Sequence, residues 1–356
     1  MDHCAIDLGG RESQVCIRAA DGRVRLERRV PTTRLGKMLE KEAPCRVVME
    51  TCAEAFAIAD QVLSLGHEVR VVPSGLSKTL GVGAHGVKTD VRDARVLSEV
   101  STRIDLPSVH VASHTARERK TLCGMRDALV SSRTQLINTV RGWMRTQLLA
   151  VKSGQAESFP TRVRALGTPD RPLPSYVLRQ LDAIDQLTSH VLAADKDLAA
   201  LAKRDPTCPR LMSVPGVGPI TAVRFVAALD TIARFTSAAQ VQSYLGLTPG
   251  ENSSSNRQRR TGITKAGPAA LRATLLQAAW SARRARGKHP MHDWVNEVEK
   301  RRGKRVAVVA LARKLAGILF ALWRDGTFYD ARSNRVRPNP PQLAAAVDVA
   351  EVTMSN

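Results

Sequence analysis

Four carboxylates in the first hundred residues, Asp7, Glu50, Asp90 and Asp93, each fall where a β-strand ends or a helix begins. Asp7 closes the apolar run Ala5-Ile6 and precedes Leu8-Gly9-Gly10, where the glycines let the backbone turn close to a bound phosphate or metal. Glu50 closes Val47-Val48-Met49 in the same way. An acid at the end of an apolar strand is costly to bury without a counter-charge, and a metal ion supplies one. Asp90 and Asp93 are three apart, so on a helix they share a face, and a divalent cation would relieve their repulsion. Taken singly, each acid also fits a helix cap or a surface position. All four donors are hard oxygens with no histidine among them, which selects Mg2+, with Mn2+ as the second choice. Two such ions about 4 Å apart stabilise the attacking and leaving oxygens of a phosphoryl displacement. The chemistry expected is therefore phosphodiester chemistry on a nucleic acid. Lys88 and Arg92 would neutralise the phosphate, or else pair with the same aspartates.

Three further segments bear on chemistry. Ser253-Ser254-Ser255 precedes a basic run holding Arg257, Arg259, Arg260 and Lys265. A serine needs a base or a strongly electrophilic phosphate to act as a nucleophile, and with no histidine nearby in sequence the segment also fits a flexible polar loop. Val214-Pro215-Gly216-Val217-Gly218 has the form of a helix-hairpin-helix turn, in which Gly216 and Gly218 would expose backbone N–H groups to a phosphate. A plain glycine-rich turn between helices has the same composition. His289 and His292 have a His-x-x-His spacing, but Pro290 and the lack of further ligands make them loop residues.

The elements that must position these residues can be read from periodicity. Strands are expected at Cys4–Leu8, Gln14–Ala19 and Arg23–Val30, with a two-residue hairpin at Asp21-Gly22. A fourth strand over Arg46–Met49, a helix over Cys52–Leu65, a fifth strand over Glu68–Val72 and a helix from Lys88 to Thr102 follow. Three antiparallel strands followed by alternating helix and strand is the order of an α/β, ribonuclease-H-like fold. From Ser113 to Leu149 the pattern becomes a long helix with a stripe at Leu122, Met125, Leu129, Leu136, Val140 and Trp143, and Ser175–Ala202 repeats it. The stretch from Lys152 to Pro174 reads as too broken for a regular element. These two helices form a coiled-coil hairpin that packs on itself or on a second subunit. The segmentation expected is residues 1–110, the acid-bearing domain; 111–207, the helical hairpin; 208–331, a mostly α-helical C-terminal domain; and 332–356, a loose tail.

Charge is unevenly placed. The net charge is +21, yet residues 1–110 hold 16 basic against 15 acidic side chains, whereas residues 211–356 hold 22 against 9. A neutral acid-bearing part beside a basic part suggests that one does metal chemistry while the other grips phosphates. With only 4% aromatic residues, stacking on unpaired bases is a poor binding mode, and double-stranded DNA held by its backbone is the partner expected. No apolar run looks long enough to cross a bilayer, so the chain is expected to be cytoplasmic, nucleoid-associated when bound to DNA, with no membrane contact. Six cysteines without Cys-x-x-Cys spacing read as reduced, mostly buried thiols rather than a zinc site.

Together the segments Ala5–Asp7, Val47–Glu50, Lys88–Ala94, Pro215–Gly218, Tyr244–Pro249, Gly262–Lys265 and Leu271-Arg272 resemble the DEDD transposases of the insertion-sequence one-hundred-ten family, related to the Piv invertases. The resemblance implies a RuvC-like first domain, a coiled coil, and a C-terminal transposase domain whose serine attacks DNA and becomes linked to it. It implies Asp7, Glu50, Asp90 and Asp93 as metal ligands, acting with the serine in a composite site between subunits of a dimer or tetramer. Some members select donor and target DNA with a noncoding bridge RNA. The family motif has a glycine where this chain has Ser255, so Ser254 is the nucleophile expected and Ser253 the reserve. A metal-dependent junction resolvase without a serine step is the alternative function.

Overall fold

The computed structural model describes residues 1–74, 90–251, 260–284, 290–330 and 336–337. The chain divides into two compact units, 1–113 and 114–356.

The first unit is built on five strands, β1 (His3–Asp7), β2 (Glu12–Arg18), β3 (Val24–Pro31), β4 (Arg46–Glu50) and β5 (Glu68–Val72), in the order β3-β2-β1-β4-β5. β1, β2 and β3 pair antiparallel, whereas β4 pairs parallel to β1 and β5 parallel to β4. The central strands are covered on both faces, which is why they read as unbroken apolar runs. Cys4, Ile6, Val47 and Met49 pack beneath helices α1 (Leu35–Leu39) and α2 (Ala55–Ser64), while Ala5, Val48 and Val72 pack on the opposite face with Leu97 and Leu106. Leu97 belongs to α3 (Asp90–Arg103). Edge strand β3 is blunted by exposed charges, Arg25, Arg28 and Arg29 among them, a usual defence against edge pairing.

The β2–β3 loop is three residues, Ala20 to Gly22, closed by the Ala19 amide on the Arg23 carbonyl (2.9 Å) and the Gly22 amide on the Ala19 carbonyl (2.9 Å). This is one residue longer than Asp21-Gly22 alone suggests, because the ladder shifts register at Ile17/Arg18. The β1–β2 turn is tighter. A Cβ on Gly9 would lie 2.3 Å from the Glu12 carbonyl oxygen, so only glycine fits. Ser13 and Thr32, both buried, pin the turn: the Gly9 amide donates to Ser13 Oγ (3.3 Å) and Thr32 Oγ1 donates to the Gly9 carbonyl (2.6 Å).

The second unit opens with two long helices, α4 (His114–Thr146) and α6 (Ser175–Arg204), which pack on each other. α6 buries Val177, Leu181, Ile184, Val191 and Leu198, the repeat of the stripe expected of it, whereas the inward face of α4 differs in part from expectation. α4 buries Ala116, Cys123, Arg133, Ile137, Val140 and Met144, whereas Leu122 and Met125 are 41% and 66% exposed. A short helix, α5 (Phe159–Arg164), lies in the stretch expected to be irregular, and Phe159 and Val163 fill the space between the long helices. The remaining helices are α7 (Cys208–Met212), α8 (Pro219–Leu229), α9 (Ala238–Tyr244), α10 (Ala269–Arg284), α11 (Pro290–Arg302) and α12 (Lys304–Asp325). They share one core that also takes in Cys123 of α4 and Leu198 and Ala202 of α6.

α12 corrects the expectation of no membrane-length run, since by length and composition it could cross a bilayer. It is instead the central core helix, burying Ala307, Leu311, Leu315, Leu319 and Phe320. Two short ribbons complete the unit, β6 (Pro249–Glu251) with β7 (Arg260–Ile263), and β8 (Phe328–Tyr329) with β9 (Val336–Arg337). The second places a strand inside the region expected to be a loose tail. All six cysteines are free thiols, five of them buried. Burial pushes Cys45 up to about 11 and Cys208 up to about 12, so both stay protonated.

Two tests of this architecture follow from single contacts. Gly9→Ala forces the β1–β2 turn open and should cost about 1–3 kcal/mol in urea unfolding; an unchanged midpoint would show that the turn absorbs the methyl. Asp205 Oδ1 accepts from the amides of Thr207 and Cys208 (both 2.8 Å) and Oδ2 pairs with Arg119 (2.6 Å). Burial works to raise its pKa, but those amides and the guanidinium outweigh it and hold the carboxyl below its ordinary value. Asp205→Ala should therefore cost about 2–4 kcal/mol at pH 7. A depressed folded pKa means that this stability is present above the unfolded value of about 3.9 and lost as pH falls through the folded one. The gap between wild-type and variant urea midpoints should shrink from pH 7 to pH 3.

Candidate nucleic-acid-processing site

In the first unit, strand register places two of the acids together. β1 and β4 pair Ile6 with Met49, so Asp7 and Glu50 come one residue later at the same end of adjacent parallel strands, which run about 4.8 Å apart. Alternation puts Asp7 on the face of Ala5 and Glu50 on the face of Val48, the face covered by α3. Both are half-buried.

A ladder of polar contacts sets the direction of α3 across that face. His3 Nδ1 meets Ser101 Oγ at 2.7 Å, Cys16 Sγ meets Ser98 Oγ at 3.4 Å, and Arg95 Nε donates to Glu27 at 2.6 Å. At the far end Arg29 donates to Asp90 at 3.3 Å. The start of β1 thus lies under the end of α3, and the end of β1 lies toward its first turn. That turn carries Asp90 and Asp93.

The two aspartates differ. Asp93 is 6% exposed, and its Oδ1 is buried without a hydrogen-bond partner among the described residues. Asp90 is exposed and paired with Arg29, which also lies 3.6 Å from Glu12. Among the described residues, no three His, Cys, Asp or Glu side chains come close enough together to hold a metal ion. The acids are therefore gathered at one end of the sheet, facing one helix, without closing into a finished cluster. Arg92 is exposed on the same turn, and Lys88 lies outside the described residues.

Sequence reasoning passed over Arg29. Arg29 pairs across β2 with Gln14, which in turn pairs with Asp7, so Arg29, Gln14, Asp7 and Glu50 form one row across the sheet. The signal was available in the strand alternation, but Arg29 reads as an ordinary edge charge until the register is known.

In the second unit, Ser253, Ser254, Arg257 and Arg259 lie outside the described residues, as does the side chain of Arg260. The chain on either side of them is held, because β6 and β7 pair Glu251 with Arg260 and Pro249 with Ile263. The ribbon is continued by the Thr264 amide on the Thr248 carbonyl (2.9 Å) and the Lys265 amide on the Gly246 carbonyl (3.1 Å). Lys265 is exposed with a φ of 56°, a left-handed conformation that costs a non-glycine residue roughly 1–2 kcal/mol. Arg272 clamps both arms by donating to the Leu245 (3.1 Å) and Ala266 (3.2 Å) carbonyls. Its part in shaping this ribbon is the other role the sequence did not reveal.

The helix-hairpin-helix glycines separate in role. Gly216, with a φ of +85°, lies against α10, where a Cβ would meet the Ala278 carbonyl at 2.4 Å. Its glycine is demanded by helix packing. A Cβ on Gly218 would meet nothing within 4 Å at the start of α8. His292 lies on α11, where the sequence had suggested a loop, and its Nε2 is 3.0 Å from the Ala282 carbonyl; His289 lies outside the described residues.

Comparison with known proteins agrees with both halves of this picture. The family model described as Transposase IS116/IS110/IS902 family matches residues 208–293, and the DEDD model of IS110 elements, described as Transposase, matches residues 4–147. The chain is 31% identical over 293 residues to a probable family 20 transposase of Pseudomonas aeruginosa, covering 80% of this chain and 86% of the relative. It is 27% identical to the transposase for insertion sequence element IS1328 of Yersinia enterocolitica, over 91% of this chain and 97% of that one. With the transposase for IS1111A of Coxiella burnetii it shares 29% identity over 89% and 88% of the two chains. A DEDD domain of this kind implies a RuvC-like fold and a divalent metal ion, and the strand order β3-β2-β1-β4-β5 is in keeping with it. This chain belongs to the IS110 family of DNA transposases.

Proposed function

We propose that this transposase cleaves and rejoins element and target DNA through a serine-linked intermediate, with Asp7, Glu50, Asp90 and Asp93 holding Mg2+ (Mn2+ as substitute) beside the reacting phosphate. The observation that carries the reading is the in-register placement of Asp7 and Glu50 facing the helix that bears Asp90 and Asp93. The donor set fits a hard divalent ion: four carboxylates, no histidine, and in Asp93 a buried oxygen without a partner among the described residues. Such an ion supplies charge neutralisation at the scissile phosphate.

The chain's own groups do the rest. Ser254, with Ser253 as reserve, attacks phosphorus; its Oγ–P bond forms as the P–O bond to the departing DNA end breaks, and the serine proton leaves with that oxygen. The reverse attack by a hydroxyl of the partner DNA end releases the serine and rejoins the strand. Lys88, Arg92, Gly218, Arg257, Arg259, Arg260 and Lys265 grip the DNA backbone. The paired arms of β6 and β7 and the Arg272 clamp support a fixed base for the serine segment. A bridge RNA selects the DNA, in keeping with the family resemblance and the basic second unit. The protein works as a dimer or tetramer through a coiled-coil hairpin, a reading supported by Leu122 and Met125 on α4 and Tyr176 and Leu192 on α6, which stay exposed.

Two measurements test this. On element-end DNA the wild type should form an adduct that survives denaturation, and Ser254→Ala and Asp7→Ala should each lower it by at least roughly a thousandfold. Equal adduct from wild type and Ser254→Ala, with loss confined to Ser253→Ala, would move the nucleophile to Ser253. Cleavage with no adduct in any variant would replace the scheme with a metal-dependent nuclease. Separately, Arg29 competes with the ion for Asp90. An exposed pair is worth up to about 1 kcal/mol, so Arg29→Gln should lower the Mg2+ concentration needed for half-maximal thermal stabilisation by about two- to fivefold. An unchanged or higher midpoint would remove Asp90 from the ligand set.

A further inference from the structure

The turn joining α11 to α12 carries Lys300-Arg301-Arg302-Gly303-Lys304-Arg305, and every one of these residues is exposed. Five cations in six residues need partners, and few are at hand. Lys300 is taken by Glu297 at 2.9 Å, and the neighbouring Glu299 is taken by Arg283 at 2.7 Å. Asp293 sits in the first turn of α11, nine residues before Arg302, or about 13 Å along the helix. Arg301, Arg302, Lys304 and Arg305 make no ion pair among the described residues. Exposed Arg284 joins them: it donates to the Trp280 carbonyl at 3.2 Å, while the Lys304 ammonium lies 5.4 Å from the centre of the Trp280 ring.

Helix electrostatics accounts for only half of this cluster. Arg301 and Arg302 end α11, where cations complement the negative pole of the helix. Lys304 and Arg305 begin α12, at its positive pole, in a first turn with no acidic residue and no side-chain cap. There, cations destabilise the helix. Lys304 lies over the Trp280 ring, and neither cation meets an acid among the described residues, which leaves both open to an anion outside the protein.

We infer that this turn, with Arg284, is a docking surface for the phosphate backbone of double-stranded DNA. The inference rests on the DNA-acting reading above. Its cations are fork and point donors suited to phosphates, and the one ring among them, Trp280, is half-buried and covered by Lys304, so no platform for unpaired bases is offered.

The test uses the full-length protein and a DNA duplex, with affinity measured across a salt series. Lys304→Glu with Arg305→Glu should weaken binding by at least roughly tenfold near 0.1 M salt and reduce the slope of log affinity against log salt by about two, one for each phosphate no longer neutralised. Because acids suit a helix start, the thermal midpoint of this variant should be equal to or above wild type, which separates weaker docking from a damaged fold. A control with the same charge change on α6, Lys196→Glu with Lys203→Glu, should keep most of the slope. An unchanged slope in the turn variant, an equal loss in the control, or a slope change seen only with single-stranded RNA would overturn the surface. Failure of the wild type to bind duplex at all would overturn the DNA-acting reading and the surface with it.

Discussion

The parallel pairing of β1 with β4 is the constraint on which the first unit depends. Both strands are sealed on two faces, so each residue is assigned to one core or the other, and a slip of one position would exchange the two sets. The apolar packing of Ile6 and Met49 on one side and Ala5 and Val48 on the other therefore also fixes the direction of Asp7 and Glu50. The placement of these two acids and the stability of the fold rest here on the same contacts. α3 is held differently. It meets the sheet through a small apolar patch and through Ser98 and Ser101, which are buried polar groups. Hydrogen bonds of this kind contribute about 1 kcal/mol each net, so the helix that brings the second pair of acids is more easily adjusted than the strands that bring the first.

In the second unit, Arg133, which is buried, and Arg224, which is half-buried, do what strand register does in the first. Arg133 is 7% exposed between the long helices and reaches Glu157 at 3.0 Å and Thr188 at 3.4 Å. Arg224 on α8 joins Asp127 of α4 at 2.8 Å to Thr274 of α10 at 2.8 Å. A desolvated guanidinium stranded by a shifted helix would cost far more than an apolar contact that slides, so these residues tie the hairpin and the helices beyond it into one unit. The ribbon that carries the arms of the serine segment is built on that frame, through the grip of Arg272 on Leu245 and Ala266.

Legibility in the sequence followed the same division. The strands of the first unit and the ends that carry Asp7 and Glu50 could be read because an unbroken apolar run closed by an acid stands out in the local pattern. The long helices could be read as helices, and α6 by its inward face as well, but the first half of α4 could not. Leu122 and Met125 looked like core by hydrophobicity, whereas the true inward positions include Cys123 and Arg133. A charged residue that is buried through partners distant in sequence, as Arg133 is through Glu157 and Thr188, has no local signal. α5 escaped notice for another reason: at six residues with Pro160 near its start, it has too few turns to show a period. Gly216 looked like a phosphate cradle because its turn has the right composition, and only the approach of α10 reveals why a side chain is forbidden there.

The arrangement of charge ties these levels together. In the first unit several basic side chains are matched by acids close at hand, as in Arg46–Glu68, Arg70–Asp105 and Arg95–Glu27, and the chain's surplus of cations lies elsewhere. A near-neutral surround lets the carboxylate end of the sheet keep its own potential, because neighbouring positive charge would weaken its hold on a cation. At that end Arg29 is set against Asp90 and Glu12. An exposed pair of this kind asks little to be undone, as the proposed role of Asp90 as a metal ligand requires. A buried partner would have made the same carboxylate more stable and less available.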